Sequence, residues 1–225
     1  MKIDLHNHSY YSDDSYSPPE KMIKTAKEKG LDGIALTDHS TVEGWEEAKK
    51  AAKKHGILLI LGEEIKTREN GKIVGDILGL FLKRGIKSTD PDGVIKEIKE
   101  QNGIAVIPHP FHWFTPFRGN LEKYSKMVDA IEILNARIPP KSVDKKALEF
   151  AKKRNMAIVG SSDSHFWKDV GDAYTIADGA KNLEEFKKAI LEKKTRVGGQ
   201  KSRLRSLLAP LFAKINIIGN PPKKK

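Results

Sequence analysis

Residues 156–165 read MAIVGSSDSH, in which a short apolar run leads, after two serines, to an aspartate and a histidine two positions apart. Residues 3–9, near the other end of the chain, read IDLHNHS and also place two polar ligand-type side chains two positions apart. Residues two apart on a β-strand point to the same face, so each stretch can direct two side chains into one cavity. The two stretches therefore predict a fold that brings the ends of two distant strands together.

Short apolar runs alternate with charged segments of helical spacing along the first 200 residues. This alternation is typical of an α/β protein with a parallel sheet covered by helices. About seven strand–helix units indicate a small closed barrel, with a doubly wound open sheet as the alternative. Capping boxes are expected to start three of the helices; they pair Ser17 with Glu20, Ser40 with Glu43, and Asn182 with Glu185.

One unit departs from this pattern between residues 64 and 82. It contains Asn70-Gly71, the dipeptide that favours a tight β-hairpin turn, followed by the apolar run IVGDILGLFL. The sequence therefore predicts an extra strand or hairpin before the helix near Asp92.

Composition excludes several classes of site. The chain has 225 residues, 38% of them hydrophobic and 32% charged, and it has no cysteine. Disulfides, thiolate nucleophiles and cysteine-ligated zinc are therefore ruled out. The N-terminus lacks the apolar core of a signal peptide, and no run reaches membrane-spanning length. A cytoplasmic protein is expected.

The net charge of +11 is concentrated near the C-terminus. Residues 201–225 hold seven basic residues and no acidic one, so nucleic acid is a possible partner but not the favoured one. We expect a barrel domain at 1–200 and a basic amphipathic tail at 201–225. The tail's apolar stripe, interrupted by Pro210, is expected to dock on the barrel or on a second subunit, with a membrane surface as the alternative. The stripe consists of Leu204, Leu207, Leu208, Leu211, Phe212 and Ile215.

Polar side chains with ligand chemistry follow most of the apolar runs. A single histidine at such a place is most often structural, but five of the seven histidines lie at expected strand ends, together with several carboxylates. The set comprises His6, His8, Asp13, Asp14, His39, Glu63, Glu64, His109, Asn135, Arg137, Asp163 and His165. Strand ends on one side of a parallel barrel meet at one mouth. Nitrogen and oxygen ligands without sulfur suit Zn²⁺, Mn²⁺ or Fe, and so many donors predict two or three ions.

In this order, the motifs resemble those of the PHP (polymerase and histidinol phosphatase) family. The matching segments are DLHNHSYYSDD (4–14), TDHSTVEG (37–44), LGEEI (61–65), His109-Pro110 and SSDSH (161–165). The resemblance covers about residues 1–200. It implies a distorted (β/α)7 barrel with parallel inner strands, a metal site at the C-terminal ends of the strands, and hydrolysis of phosphoesters by a metal-activated water.

The resemblance also implies roles for individual residues. His6, His8, Glu64 and Asp163 would bind a first metal, and Glu64 would bridge to a second metal that His109 also binds. Asp13, His39 and His165 would bind a third. Asp76 stands where the family often has a histidine, so it is a further candidate ligand for the second metal. We expect Glu64, Asp163 and His165 to be the catalytic residues.

Candidates for substrate binding are fewer. Arg137 is expected to grip phosphate, and LNAR (134–137), in which it lies with Asn135, resembles a segment of phosphoesterase family members. Arg118 and His112 are weaker candidates, in or next to an aromatic loop that includes Phe111, Trp113, Phe114 and Phe117. That loop can stack a base or an imidazole ring, or serve as a lid or an oligomer contact.

The favoured function is a metal-dependent phosphoesterase acting on small phosphorylated metabolites or nucleotides. Two alternatives remain open. One is a non-catalytic PHP scaffold module, and the other is an RNA-processing enzyme or ribonucleoprotein subunit.

Overall fold

The structure is a computed structural model that describes residues 1–138 and 141–202. Its strands are β1 (Lys2–Asp4), β2 (Gly33–Leu36), β3 (Leu58–Glu69), β4 (Lys72–Leu80), β5 (Ile104–Ile107), β6 (Ala130–Asn135), β7 (Ala157–Ser161), β8 (Ala173–Ala177) and β9 (Thr195–Gly199). The helices are α1 (Pro19–Glu28), α2 (Trp45–His55), α3 (Pro91–Glu100), α4 (Leu121–Tyr124), α5 (Lys141–Arg154) and α6 (Leu183–Leu191), with a 3-10 turn at Trp167–Asp169.

The nine strands form one sheet in the order β7-β6-β5-β4-β3-β2-β1-β8-β9. Strands β1, β2 and β3 run parallel to one another, as do β5, β6 and β7. Strand β4 is antiparallel to both of its neighbours, and β8 and β9 are antiparallel additions beside β1. The α/β barrel fold is thus confirmed, except that one inner strand, β4, is not parallel.

The barrel closes where β1 and β7 end. Asn7 and Ser164 form a parallel bridge, the amide of Asp163 donates to the carbonyl of His6 at 2.9 Å, and the amide of His8 donates to the carbonyl of Ser164 at 2.9 Å. The two stretches with which the sequence analysis began are therefore direct neighbours. At the other end of the barrel, β8 lies between β1 and β7. There the Thr175 hydroxyl accepts from the Gly160 amide and donates to the Gly160 carbonyl.

The unit that departed from the strand–helix pattern is a β-hairpin, as predicted. Strands β3 and β4 pair antiparallel, with a register shift between Thr67 and Arg68. Asn70 and Gly71 connect them with φ of 49° and 75°, the left-handed conformation that a type I′ turn requires at both central positions. This hairpin inserts the antiparallel strand β4 into the barrel wall.

Apolar side chains separate onto the two faces of the sheet. In β5, Ile104 and Val106 join an inner cluster, whereas Ala105 and Ile107 join the cluster that contains the buried faces of α1, α2, α3 and α5. This two-residue alternation follows from strand geometry. The inner cluster packs one end of the barrel, and buried polar groups occupy the other end.

Only one of the three expected capping boxes forms. The Glu185 amide donates to Asn182 Oδ1 at 2.9 Å, and Asn182 Nδ2 donates to Glu185 Oε1 at 3.0 Å. The Ser17 and Ser40 boxes were wrong: Pro18 and Gly44 stand at the N-caps of α1 and α2 instead. Ser40 is held in a left-handed turn (φ 49°), where its amide donates to the Glu64 carbonyl.

The structure describes only Lys201 and Ser202 of the expected tail. The Lys201 ammonium lies 2.8 Å from the Asn135 carbonyl and 2.5 Å from Asp144 Oδ2. The apolar stripe from Leu204 to Ile215 lies outside the described residues. Within the described part of the chain, no helix combines the length and hydrophobicity needed to cross a bilayer.

Candidate metal centre

Seven side chains from five segments of the chain converge at the polar end of the barrel. They are His6, His8, His39, Glu64, His109, Asp163 and His165. All are buried except His39, whose side chain is 28% exposed. The set contains every residue predicted to bind the first metal, so the strand-end argument identified the location of the cluster.

Two of these residues sit on left-handed backbone directly after their strands. His109 has φ of 28° and Asp163 has φ of 52°. Such conformations are uncommon for residues other than glycine and persist where surrounding contacts enforce them. Here, the amide of His109 donates to the Glu132 carboxylate and that of Asp163 to the His6 carbonyl. The turns direct both side chains towards the other ligands.

Glu64 is the centre of the cluster. Its Oε2 lies 3.3 Å from His6 Nε2, 3.4 Å from His8 Nε2 and 2.9 Å from His39 Nδ1. Its other oxygen, Oε1, lies 3.1 Å from His109 Nε2. The two oxygens face different imidazoles, which is the arrangement a bridging carboxylate requires.

The donors fall into three overlapping groups, each compact enough to hold one ion. The groups are His6–His8–Asp163, His6–Glu64–His109 and His8–His39–His165. Asp163 Oδ1 lies 3.5 Å from His8 Nε2 and 3.4 Å from His165 Nδ1, so it connects the first and third groups.

The arrangement fits metal ions better than a hydrogen-bonded network. The Nε2 atoms of His6 and His8 are only 3.0 Å apart, and two neutral imidazole nitrogens cannot both accept. Three buried polar atoms of the cluster make no well-aligned hydrogen bond, although Glu64 Oε2 lies 2.9 Å from one of them, His39 Nδ1; the other two are Asp14 Oδ1 and Asp76 Oδ1. Buried nitrogen and oxygen atoms that converge in this way suit divalent cations that take both kinds of ligand.

The electrostatics of the cluster favour positive charge. Burial lowers the pKa of His6, His39 and His109, but the Glu64 carboxylate more than compensates at all three. The pKa of His6 is raised well above its usual value, that of His39 to about 10 and that of His109 to about 9. Burial, reinforced by repulsion from His39 and His165, holds the pKa of His8 well below its usual value. The carboxylates thus create a negative potential that a divalent cation neutralises.

Asp14, rather than Asp13, reaches the third group. Asp14 Oδ2 lies 3.0 Å from His165 Nε2, and Asp14 Oδ1 lies 3.5 Å from His39 Nε2. Asp13 is exposed. The Ser15 hydroxyl donates to the carbonyls of His8 and His165, which fixes the loop with Asp14 turned inward. The position expected for Asp13 is therefore taken by its neighbour.

Asp76 lies at the edge of the cluster on β4. Burial raises its pKa to about 6, and the negative charge of Glu64 adds to this, while His109 and His39 act in the opposite direction. Its unpartnered Oδ1 is free to bind an ion, and its role as a ligand of the second metal stays a prediction.

Of the residues expected to bind substrate, Arg137 lies beside the cluster and Asn135 has a different role. Arg137 Nη1 lies 3.7 Å from Asp163 Oδ1 and 3.4 Å from His165 Nε2, and the side chain is 23% exposed. Asn135 is buried and donates to both Glu132 and Asp163, while its Oδ1 accepts from the Arg137 amide. Both protons of its amide nitrogen are used within the protein, which favours a supporting role, and the expected substrate contact stays a prediction.

The two remaining candidates lie in or next to the aromatic loop. The ring of His112 lies 5.8 Å from that of His109, and its Nδ1 contacts the Thr115 hydroxyl and accepts from the Thr115 amide. Arg118 is exposed and donates to the Phe114 carbonyl rather than to a site carboxylate. His112 is thus at the edge of the site, whereas Arg118 is turned to the loop.

The sequence analysis missed the buried carboxylate Glu132 and gave no role to Asp38, which precedes His39 at the second strand end; both hold the ligands. Glu132, in β6, contacts His6 and the amide of His109. Asp38 accepts from the hydroxyls of Ser9 and Ser12, and Ser12 contacts His8. Glu132 is a single carboxylate inside the otherwise apolar run AIEIL. Because a buried charge needs specific partners, this position could have been recognised from the sequence.

A family model described as the PHP domain matches residues 4–198. The chain is 38% identical over 147 residues to the uncharacterized protein MJ1587 of Methanocaldococcus jannaschii, an alignment covering 60% of this chain and 82% of that protein. It is 40% identical over 106 residues to a 5′-3′ exoribonuclease of Haemophilus influenzae, covering 47% of this chain and 38% of the relative.

Among solved structures, a two-domain protein of Bacteroides vulgatus containing a predicted PHP-like metal-dependent phosphoesterase superposes with a TM-score of 0.73. Sequence identity is 24%, and the superposition covers 95% of this chain and 69% of that one. The similarity establishes a shared fold over most of the barrel.

Proposed function

Because the chain belongs to the PHP domain family, we propose that it is a metal-dependent phosphoesterase of small phosphorylated metabolites or nucleotides. The observation that carries the proposal is the convergence of five histidines with Glu64 and Asp163 at one barrel mouth. A non-catalytic scaffold would not need so complete a set of buried donors, whose desolvation is costly. The cytoplasmic location expected from the sequence remains a prediction.

In this proposal the three groups of donors hold two or three divalent ions, with Zn²⁺, Mn²⁺ and Fe as the candidates. Asp14 serves the third group and Asp76 the second. Bound ions of this kind lower the pKa of a coordinated water and neutralise charge on phosphoryl oxygens. Glu64, Asp163 and His165 remain the proposed catalytic residues.

Arg137 is the proposed phosphate-binding residue. Its guanidinium lies beside Asp163 and His165 and remains partly exposed, so it can reach an oxyanion at the mouth of the site. Arginine binds phosphate with planar, charge-assisted hydrogen bonds. His112 has its Nδ1 occupied by Thr115, so its Nε2 carries the proton in the neutral ring and is a second donor at this mouth.

Arg137→Ala is expected to raise KM for a phosphomonoester about 10- to 150-fold with unchanged metal content. This corresponds to the loss of one charged hydrogen bond, about 1.5–3 kcal/mol. Steady-state kinetics and metal analysis would measure the two quantities. Arg196→Ala is the control, because that arginine pairs with Asp178 on an exposed surface. Equal KM values for both variants would exclude Arg137 from substrate binding.

The aromatic loop favours nucleotides among the possible substrates. Phe117 is buried and Phe111 is partly buried, whereas Trp113 and Phe114 are 65% and 78% exposed. The ring of His112 lies 6.0 Å from that of Phe114, which connects the exposed rings to the metal centre. Exposed aromatic rings near a phosphate-binding site can stack an unpaired base.

The same feature supports the second candidate, an RNA-processing enzyme, since one relative is a 5′-3′ exoribonuclease. That relative is matched over only 38% of its length, so its activity is carried over here as a proposal alone. The favoured substrate is still a small phosphoester, because more than half of the net charge of +11 lies in the last 25 residues.

Wild-type protein is expected to contain more than one equivalent of transition metal and to hydrolyse phosphomonoesters. Metal analysis followed by a substrate panel would test this. The panel includes histidinol phosphate, nucleotides with 3′ and 5′ phosphates, and a short oligoribonucleotide. Preference for the oligoribonucleotide would favour the second candidate, and full activity in metal-free protein would contradict both.

A further inference from the structure

Glu132 is a fully buried carboxylate on the inner side of the metal centre. It lies in β6, its side chain is 0% exposed, and it was not among the residues that the sequence analysis selected. Burial opposes ionisation, but the hydrogen bond and charge of His6, together with the charge of His109, keep its pKa below the usual value. A buried anion at this position requires an explanation beyond packing.

Four hydrogen-bond donors face the Glu132 carboxylate. Oε1 lies 3.4 Å from His6 Nδ1 and accepts from the Ser161 hydroxyl. Oε2 accepts from the His109 amide at 2.9 Å and from Asn135 Nδ2 at 2.9 Å. The four donors come from β6, from β7 and from the segments that follow β1 and β5, so one side chain connects four parts of the barrel.

The contact with His6 selects a tautomer. When Nδ1–H of the neutral ring donates to Glu132, Nε2 keeps a lone pair for a metal ion on the side where Glu64 Oε2 lies at 3.3 Å and Asp163 Oδ1 at 3.9 Å. A carboxylate partner on the remote nitrogen fixes the ring of a ligating histidine and makes it a better donor. Glu132 therefore sets the ligand geometry on the His6–His8–Asp163 side.

The second carboxylate oxygen of Glu132, Oε2, contacts the side of the cluster that contains His109. By accepting from the His109 amide, it holds the left-handed turn that directs His109 Nε2 to Glu64 Oε1 at 3.1 Å. By accepting from Asn135, it orients an amide whose other contact is Asp163 Oδ2, at 3.1 Å. One carboxylate thus reaches ligands of two neighbouring groups of donors.

We propose that Glu132 is a positioning residue that couples the His6–His8–Asp163 and His6–Glu64–His109 groups, so that both bind metal ions with high affinity only when it is present. The inference rests on the proposed metal centre. A carboxylate is required because four donors face two oxygens. A glutamine offers one oxygen, and its NH₂ group would face two donors and leave buried groups unsatisfied.

Zn²⁺ titration of metal-free protein would test the coupling, measured by calorimetry. Glu132→Gln is expected to weaken at least two equivalents about 10–100-fold, the usual effect of removing such a partner. Asn135→Ala removes the contact with Asp163 and one of the four donors to Glu132, but leaves the contacts of Glu132 with His6 and His109 in place, so it is expected to weaken one equivalent. The control is Glu149→Gln, at an exposed glutamate of α5 whose side chain is 64% exposed.

The outcomes separate the inference from the proposed function. Wild-type protein that binds no Zn²⁺ would overturn both, whereas normal wild-type binding with unchanged binding in Glu132→Gln would overturn only the role of Glu132. A lower melting temperature without Zn²⁺, but the same Zn²⁺ affinity, would identify a structural residue and contradict the coupling.

A second measurement does not depend on the folding of the variant. In ¹⁵N-histidine spectra of Zn²⁺-loaded wild-type protein, His6 is expected to carry its proton on Nδ1, within hydrogen-bond reach of Glu132. The opposite tautomer, with a protonated Nε2, would overturn the proposal.

Discussion

Glu64→Gln is expected to reduce phosphoesterase activity by more than about 100-fold and to lower the metal content of the purified protein. The Glu64 oxygens lie within 3.4 Å of four imidazoles, three at one oxygen and one at the other. An amide keeps the shape but loses the charge and one acceptor oxygen. The loss should therefore exceed the roughly 10–100-fold cost of removing an outer partner of a ligand.

Glu63→Gln provides a closely matched control. Glu63 is the preceding residue on β3 and is also buried, but its side chain turns to the other face, where Oε2 accepts from the Ile86 amide at 2.9 Å. Burial raises its pKa to about 7, so the carboxyl is partly neutral near pH 7 and an amide changes the charge little. We expect near-normal metal content and kcat, measured side by side with Glu64→Gln. Similar losses in the two variants would rule out a special role for Glu64.

The sequence pattern predicted which residues lie at the strand ends, but it did not predict which strands pair to close the barrel. The spacing of two correctly paired His6 with His8 and Asp163 with His165, although both pairs follow the ends of β1 and β7 and Asp163 lies on left-handed backbone. The Asn7–Ser164 bridge and the antiparallel strand β8 are long-range pairings. Local patterns do not encode them, because the same apolar run can pair on either side.

Local backbone conformation explains why individual residues differ between the sequence prediction and the structure. Ser17 and Ser40 have the right spacing for capping boxes, but Pro18 and Gly44 occupy the N-caps of the two helices. Asn135 was expected to contact the substrate, yet the register shift in β6 between Glu132 and Leu134 accompanies contacts of Asn135 with both Glu132 and Asp163. Glu132 itself was hidden in an apolar strand, where a single acid is easily read as a sheet-edge residue.

Loop conformation also decides which of two adjacent aspartates after β1, Asp13 or Asp14, can bind a metal ion. A pair of variants would distinguish them. Asp14→Asn is expected to remove about one equivalent of metal and to lower kcat by more than about 100-fold, beyond the effect of losing an outer partner. Burial opposes ionisation of Asp14, but hydrogen bonds from His165 and His39 outweigh it and hold its pKa below the usual value. An amide cannot supply this charge between two imidazoles.

Asp13→Asn should leave metal content and kcat unchanged, because Asp13, although adjacent to Asp14, is exposed. The motif resemblance favoured Asp13, since sequence alone gives the spacing from His8 but not the direction in which the loop turns. That direction depends on Ser15, whose hydroxyl donates to the carbonyls of His8 and His165. Metal analysis and kcat for the two variants would compare these assignments directly. Loss in Asp13→Asn with retention in Asp14→Asn would show that the loop reverses when metal binds, and would restore Asp13 as the ligand of the third group.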